Sequence, residues 1–250
     1  MKSQQLVKIM EENLEVEPAE RLPQSIKLDI RCIREAPEAD AKSKTNDTTL
    51  VTVCNEDTAM AAYRLHDQGL NPLILNCASE KRPGGGCYNG ARAQEESLFY
   101  RSLYHLTLTE NLYPLGPCSV VYSPSVPFFR DADFRKIGKV RKLACLAVAA
   151  VRHPELTEDK TTYLLPQDKE LMRLKIEAIF HVAAKYKHKA LVLGAFGCGA
   201  FGNPPEQVAK MFQDAIATYG HSFSHLVFAI LDTSDDKHII KPFQRVFEQK

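Results

Sequence analysis

Two short apolar runs, each leading directly into a glycine-rich segment, constrain the fold of this chain most strongly. Residues 72–77 (PLILNC) precede the run Arg82-Pro83-Gly84-Gly85-Gly86. Residues 190–193 (ALVL) precede residues 194–203 (GAFGCGAFGN). A short apolar run bounded by turn residues is typical of a buried strand. Ligands of open α/β sheets bind beyond the carboxyl ends of the strands, so the pattern predicts that both glycine-rich loops lie at such an edge.

Strand and helix patterns alternate after residue 49, which predicts a mixed, mostly parallel sheet with helices on both faces. The predicted strands are 50–54, 72–77, 119–123 with 128–130 as a continuation, 142–151, 190–193 and 224–231. The predicted helices are 3–12, 59–67 with Asp57 or Thr58 as its cap, 94–108, 168–187, 204–219 and 242–248. Residues 142–151 also fit a helix, but the nearby Pro154 favours a central strand. The polar, aperiodic residues 35–48 predict a linker, which divides the chain into an amino-terminal helical extension and linker (1–48) and one α/β domain (49–250).

Charge, hydropathy and cysteine content exclude several classes of protein. The formal net charge of +1 gives no basic footprint for duplex DNA. No apolar stretch approaches the ~18–20 residues of a membrane-spanning helix. Acidic residues stand where a signal peptide would have its apolar core, and the seven cysteines form no C-x-x-C pair. These features predict a protein with reduced thiols, in the cytoplasm or the nucleus and not secreted, without DNA or membrane as a partner. The sequence does not indicate the oligomeric state, and a monomer is the default expectation.

The first glycine run and the acidic residues behind it predict a site for chemistry on an anionic ligand. Three consecutive glycines allow backbone N–H groups to approach a phosphate closely, although tight turns alone would also use them. Glu95 and Glu96 fall where a helix begins, and on a helix their side chains diverge by ~100°. One is therefore a candidate general acid or base and the other can orient a substrate hydroxyl. The alternative is that both are ordinary first-turn acids favoured by the helix dipole.

Other site types do not fit the sequence. Neither glycine segment matches G-x-x-x-x-G-K-[ST] or a G-x-G-x-x-G that opens a helix, which disfavours a nucleotide triphosphatase and a Rossmann dehydrogenase. The eight histidines have no metal-ligand spacing, so we predict no metal and no cofactor. Cys198 could be a thiol nucleophile, but its flanking glycines favour a phosphate loop.

The stretch GGGCYNGARAQEE (84–96) resembles the GGG-x(6–8)-QEE signature of poly(ADP-ribose) glycohydrolases. Residues 75–104 around it are similar to the compact microbial branch of that family. The similarity continues in 121–126 (VYSPSV) with Arg130, and in 193–209 (LGAFGCGAFGNPPEQVA), so that it covers about residues 50–232.

The resemblance implies a macrodomain, a three-layer α/β/α fold that binds ADP-ribose in a cleft at the strand ends. It implies that Glu96 is the catalytic acid/base and that Glu95 orients the ribose at the bond to be cleaved. Asn76 would contact the terminal ribose, and Asp57 would read the adenine amine. The remaining ligand-binding residues that it implies are Gly84, Gly85, Gly86, Gln94, Gly197, Cys198, Gly199, Ala200 and Phe201.

The resemblance therefore predicts a poly(ADP-ribose) glycohydrolase that cleaves ribose–ribose bonds and releases ADP-ribose. Two alternatives stay open at this point. One is an enzyme that removes single ADP-ribose units from ADP-ribosylated protein, and the other is a module that binds ADP-ribose without turning it over. The acidic pair favours an enzyme, because a pure binding module has no need of a proton donor.

Overall fold

The computed structural model describes residues 1–34 and 49–248, which are organised around one seven-stranded sheet. The strands are β1 (Ile26–Asp29), β2 (Leu50–Cys54), β3 (Pro72–Cys77), β4 (Ser119–Arg130), β5 (Lys136–Val148), β6 (Ala190–Leu193) and β7 (His225–Ala229). The α-helices are α1 (Ser3–Leu14), α2 (Ile30–Arg34), α3 (Thr58–Asp67), α4 (Gln94–Arg101), α5 (Pro166–Lys185), α6 (Pro205–Tyr219) and α7 (Ile240–Phe247). Within this part of the chain, none of the helices combines the length and the apolar character needed to cross a membrane.

The strand order β1-β4-β5-β3-β6-β7-β2 confirms the predicted mixed, mostly parallel sheet. Strands β5, β3, β6, β7 and β2 run parallel, whereas β4 is antiparallel to both of its neighbours. Strands β3 and β6 are adjacent, with Ile74 opposite Val192. Their carboxyl ends therefore meet at one edge, and the two glycine-rich loops leave the sheet side by side.

Helices cover both faces of the sheet, which confirms the three-layer architecture. Successive residues of a strand point to opposite faces. In β3, Leu73 and Leu75 pack into a core with α2, α5, α6 and α7. Ile74 points to the other face, where α1, α3 and α4 complete a second core.

Two predicted elements have different boundaries in the structure. The helix expected over 94–108 ends at Arg101, because Ser102 is extended (φ −147°, ψ 176°) and only a 3₁₀ turn, Tyr104–Leu106, follows. The strand expected over 142–151 is β5, which begins six residues earlier and ends at Val148. In the exposed first half of β5, glycine and charged residues break the alternation of apolar and polar side chains. The sequence pattern was therefore too weak to predict that the strand begins there.

Strand β1 and helix α2 were not predicted from the sequence. Strand β1 lies at the edge of the sheet, where Ile26 is opposite Tyr122, and half of it is exposed. An edge strand of four residues with two charged side chains carries little periodic signal. The amino-terminal segment thus contributes a strand to the main sheet. The predicted linker 35–48 lies outside the described residues, and the division of the chain at residue 48 stays a prediction.

Helix α1 packs against the end of α4, the helix that begins with the acidic pair. The fully buried Asn13 donates from Nδ2 to the carbonyls of Phe99 (3.1 Å) and Tyr100 (3.0 Å). These carbonyls belong to the last turn of α4, where carbonyls lack partners within the helix. Asn13 Oδ1 accepts from Nε of the buried Arg130 at 3.0 Å. One amide side chain therefore caps α4 and satisfies a buried guanidinium.

We predict that Asn13→Ala lowers the free energy of unfolding by about 2–3 kcal/mol, because the Tyr100 carbonyl and Arg130 Nε lose a buried partner and the Phe99 carbonyl keeps only the 3.4 Å bond from the Ser102 amide. Urea denaturation measures this change. The matched control is Asn111→Ala, at an exposed position in a single 3₁₀ turn, which should cost less than about 0.5 kcal/mol. Equal costs for the two variants would contradict the assigned role of Asn13.

Candidate active site

Glu95 is buried at the start of α4 and accepts hydrogen bonds on both carboxyl oxygens. Oε1 accepts from Asn76 Nδ2 (3.2 Å) and from the amide of Gly84 (3.2 Å). Oε2 accepts from the amide of Ser79 at 2.7 Å. Asn76 and Ser79 come from the end of β3 and the residues just after it, so the strand end and the first glycine loop hold this carboxyl together.

Glu96 is also buried, but its two oxygens differ. Oε1 accepts from the amide of Gly86 at 2.8 Å. Oε2 has no hydrogen-bond partner among the described residues, although it is shielded from solvent. A buried carboxyl oxygen without a partner is costly as an anion and is well suited to carry a proton.

The environment of Glu95 shifts its titration upward. Burial raises the pKa of Glu95 to about 8, and the nearby charge of Glu96 acts in the same direction. The N–H donors from Ser79, Asn76 and Gly84 oppose the shift, because they stabilise the anion. With three donors on its own oxygens, Glu95 is the better anion of the two. These donors act against burial, which remains the larger influence on the pKa of Glu95.

The first glycine loop lies over these carboxyls. Its sequence had predicted that its backbone N–H groups would bind a phosphate, but in the structure they point elsewhere. The amides of Gly84 and Gly86 donate to the glutamates, and that of Gly85 donates to the Arg82 carbonyl at 3.4 Å. Gly85 has φ +52°, and a Cβ there would lie 2.5 Å from Glu96 Oε1. Glycine is required here because the backbone passes directly over the acid. In this structure none of the three amides is left for a phosphate.

The second loop, residues 194–203, keeps N–H groups available. The Cys198 amide donates to the Ala195 carbonyl at 3.0 Å. The amides of Gly199, Ala200 and Phe201 donate to no atom of the residues that the structure describes. They precede the amino terminus of α6, whose dipole favours an anion. This loop therefore has the free donors that a phosphate-binding turn requires.

Cys198 is a packing residue in this loop. Its side chain is buried and donates to the Phe196 carbonyl at 3.6 Å. Burial raises the pKa of the Cys198 thiol well above its usual range, which leaves no reactive thiolate. This agrees with the preference for a phosphate loop over a thiol nucleophile.

A cavity of about 310 Å³ lies at the carboxyl edge of the sheet, between the start of α4 and the second loop. The predicted site residues that line it are Asp57, Gln94, Gly197, Gly199, Ala200 and Phe201. The remaining predicted site residues do not line it; these are Asn76, Gly84, Gly85, Gly86, Glu95, Glu96 and Cys198. Glu95 lies next to the cavity lining, because Gln94 precedes it in sequence and Ala78 precedes its partner Ser79, and both Gln94 and Ala78 line the cavity.

Gln94 and Asp57 line the cavity but also have structural tasks. Gln94 Oε1 accepts from the Cys77 amide (3.0 Å), and its Nε2 donates to the Leu75 carbonyl (2.7 Å), which fixes α4 to the end of β3. Asp57 caps α3, as predicted, through Oδ1. Its Oδ2 forms an ion pair of 3.1 Å with the buried Arg101.

Several cavity residues were not predicted from the sequence. Ala150 lies just beyond β5, and Ile230 and Leu231 just beyond β7. Their positions follow from the rule that ligands bind beyond strand ends, but apolar side chains carry no chemical signal of their own. Arg92 also lines the cavity, at an exposed position. Among the described residues, no three His, Cys, Asp or Glu side chains form a group that could hold a metal ion.

Comparison with known proteins assigns the chain to a family. The model of the microbial-type PARG catalytic domain, where PARG is poly(ADP-ribose) glycohydrolase, matches residues 4–131, more than half of the chain. A search of curated proteins gave no match.

Solved structures of bacterial PARGs are similar over almost the whole chain. The enzyme from Thermomonospora curvata has a TM-score of 0.86 and 27% identity, over 98% of this chain and 100% of that one. Its complex with the inhibitor ADP-HPD has a TM-score of 0.81 and 26% identity, over 97% and 99%. The enzyme from Deinococcus radiodurans in complex with ADP-ribose has a TM-score of 0.78 and 28% identity, over 90% and 94%. With its fold and its acidic pair under a glycine loop, this chain belongs to the microbial-type PARG catalytic-domain family.

Proposed function

We propose that this protein hydrolyses the ribose–ribose O-glycosidic bonds of poly(ADP-ribose) and releases ADP-ribose, with Glu96 as general acid and base. Its membership of the microbial-type PARG catalytic-domain family supports the reaction. The similar Deinococcus radiodurans enzyme in complex with ADP-ribose supports the ligand. The roles proposed for individual residues are argued from the geometry of this chain.

The observation that carries the proposal is the asymmetry of the Glu96 carboxyl. One oxygen is fixed by the Gly86 amide, and the other is buried without a partner among the described residues. Glu95 accepts N–H donors on both oxygens, whereas Glu96 Oε2 accepts none, so we propose this oxygen as the one that carries the proton. That atom is then a proton donor with a fixed orientation, which is what general acid catalysis requires.

We place ADP-ribose in the cavity with its diphosphate on the second loop. The free amides of Gly199, Ala200 and Phe201 would bind the phosphate oxygens, together with the amino terminus of α6. Arg92 is a cation on the cavity wall that would offset part of the phosphate charge. The cavity volume of about 310 Å³ lies at the lower end of the range for small-molecule sites.

The reacting ribose would lie at the end of the cavity nearest the acidic pair. Glu95 Oε2 accepts only one hydrogen bond, from Ser79, and has a lone pair left for a ribose hydroxyl. Asn76 would act by holding Glu95. At the other end, Asp57 stays the proposed reader of the adenine amine, and Ile230 and Leu231 would contact the base. The remaining glycines, Gly84, Gly85 and Gly86, would contact the ligand through the loop surface rather than through their amides.

Bond cleavage then uses one carboxyl twice. The Glu96 Oε2 proton passes to the bridging oxygen as the ribose C1–O bond breaks, and the bonding electrons leave with that oxygen. The ribose passes through an oxocarbenium-like state, whose positive charge the substrate's own diphosphate offsets. Water attacks C1 and gives a proton to the Glu96 carboxylate, so one water is added across the bond and Glu96 is protonated again.

We also propose that the protein is an intracellular monomer. The seven cysteines are unpaired in the structure, which suits a reducing compartment. Gel filtration combined with light scattering would test the oligomeric state, and a dimer of twice the 28.1 kDa chain mass would contradict it.

We predict that Glu96→Gln lowers kcat for release of ADP-ribose from poly(ADP-ribose) by about 10²- to 10⁴-fold, because glutamine keeps the hydrogen bond from Gly86 but cannot transfer a proton. Chromatography of released ADP-ribose measures the rate, and calorimetry with ADP-ribose shows that the cavity still binds. Glu206→Gln is the matched control, since Glu206 is also a first-turn helix acid and makes only a surface ion pair with Arg245.

Three results would overturn parts of this assignment. Turnover that survives Glu96→Gln would remove Glu96 from the mechanism. Tight binding of ADP-ribose by the wild-type protein without release from polymer or from mono-ADP-ribosylated protein would favour a binding module. Release from the modified protein alone would favour a mono-ADP-ribosyl hydrolase.

We predict that kcat falls as the pH rises through about 8, with the slope of one proton. The buried site holds the proton of Glu95 below that pH, since burial raises the pKa of this carboxyl to about 8, and it loses that proton above it. The acid form is the active one for the first step, so the descending limb is on the alkaline side. Rates measured from about pH 6 to about pH 10 under saturating substrate test this. A kcat that is constant or rising across pH 8 would contradict it.

A further inference from the structure

Exposed cations surround the first glycine loop without carboxylate partners among the described residues. Lys81 and Arg82 precede the glycines, and Arg92 follows them. None of the three forms an ion pair with any residue that the structure describes, whereas Lys139 and Arg141 share Asp67 elsewhere on the surface. The formal net charge of the protein is only +1, so this unpaired positive charge is local. It lies beside the carboxyls that carry the proposed chemistry.

Arg82 is held in place on this loop by the backbone. Its Nε donates to the Gly85 carbonyl at 2.7 Å. Gly85 is the residue whose backbone passes over Glu96, since a Cβ there would lie 2.5 Å from Glu96 Oε1. The two terminal nitrogens of the guanidinium donate to no atom of residues 1–34 or 49–248. A planar group with free donors is thus fixed to the residue that covers the proposed acid.

The position of Arg82 relative to the cavity identifies which part of a substrate it would meet. Arg92 lines the cavity, but Lys81 and Arg82 do not. If ADP-ribose fills the cavity, the bond to be cleaved lies at its end near Glu96, and the leaving group lies outside. Lys81 and Arg82 are at the loop that separates Glu96 from solvent, so they are on the leaving-group side.

The chemistry of the leaving group decides what such cations would bind. In poly(ADP-ribose) the leaving group is the next ADP-ribose unit, which carries a diphosphate a few bonds from the bridging oxygen. A single unit on a protein leaves from a side chain that carries no diphosphate. A guanidinium with two free nitrogens binds phosphate oxygens in a bidentate manner.

We infer that Arg82, assisted by Lys81, binds the diphosphate of the ADP-ribose unit on the leaving side, and so makes the enzyme prefer polymer over singly modified protein. This rests on the proposed function. The contact forms a second phosphate subsite, separate from the amides of the 199–201 turn. The Arg82 contact contributes to substrate binding, through the attraction between an exposed cation and the doubly charged diphosphate.

The test compares two substrates for wild type, Arg82→Ala and Arg82→Lys. One substrate is poly(ADP-ribose), and the other is a 4-nitrophenyl glycoside of ADP-ribose, whose leaving group has no phosphate. For Arg82→Ala we expect the ratio of kcat/KM on polymer to kcat/KM on the glycoside to fall about tenfold at low salt, mainly through KM. Arg82→Lys should recover part of the ratio. The slope of log kcat/KM on polymer against log salt should become shallower by about 1.

Lys136→Ala is the matched control, because Lys136 is exposed, has no ion pair among the described residues and lies at the amino end of β5, remote from the carboxyl edge. It should leave the ratio unchanged. An equal loss on both substrates for Arg82→Ala would show that Arg82 acts by holding the glycine loop, and would overturn the subsite. An unchanged ratio would overturn it as well. Wild-type protein that hydrolyses the glycoside but not the polymer would refute the proposed function instead.

Discussion

The burial of two adjacent carboxyls under a glycine loop is the constraint on which the rest of the site depends. An ionised carboxyl in a protein interior costs several kcal/mol unless donors compensate it. The structure supplies donors from three segments: the Asn76 side chain at the end of β3, the Ser79 amide after it, and the Gly84 and Gly86 amides of the loop. Of the four carboxyl oxygens, Glu96 Oε2 has no donor among the described residues. The roles proposed for the two glutamates rest on this asymmetry.

This arrangement explains why the glycines are needed. For the Gly84 and Gly86 amides to point inward at α4, the loop must lie against the helix, where side chains do not fit. A Cβ at Gly84 would lie 2.6 Å from the Phe99 ring, and one at Gly85 would lie 2.5 Å from Glu96 Oε1. The loop is then held from outside by Arg82 and from below by α4, whose far end is capped by Asn13. The amino-terminal helix therefore supports the segment that carries the acids.

The sequence predicted the parts of the fold that rest on local pattern. The buried run 72–77 and the run 190–193 became neighbouring strands, and Asp57 caps α3 as expected. Sequence could not predict features that depend on partners far along the chain. The Ser102 backbone ends α4 early where it meets β4 through Phe128, and the contact of Asn13 with Phe99 spans 86 residues. The resemblance pointed to the two glutamates, but not to the oxygen that keeps a proton, because that depends on the three-dimensional placement of amides.

The two glycine-rich loops show how similar sequences at neighbouring strand ends acquire different tasks. Each lies beyond a buried strand and each contains three or more glycines. The first precedes a helix whose opening residues are acids, so its amides turn toward those acids and are consumed within the protein. The second loop precedes Pro204 and Pro205, which have no N–H groups and therefore donate to no anion. The acid in the first turn of the following helix, Glu206, forms an ion pair with Arg245 at the surface and does not face the loop amides. The helix that a glycine loop leads into, rather than the glycine content of the loop, decides whether its amides hold a catalytic acid or remain free for a ligand.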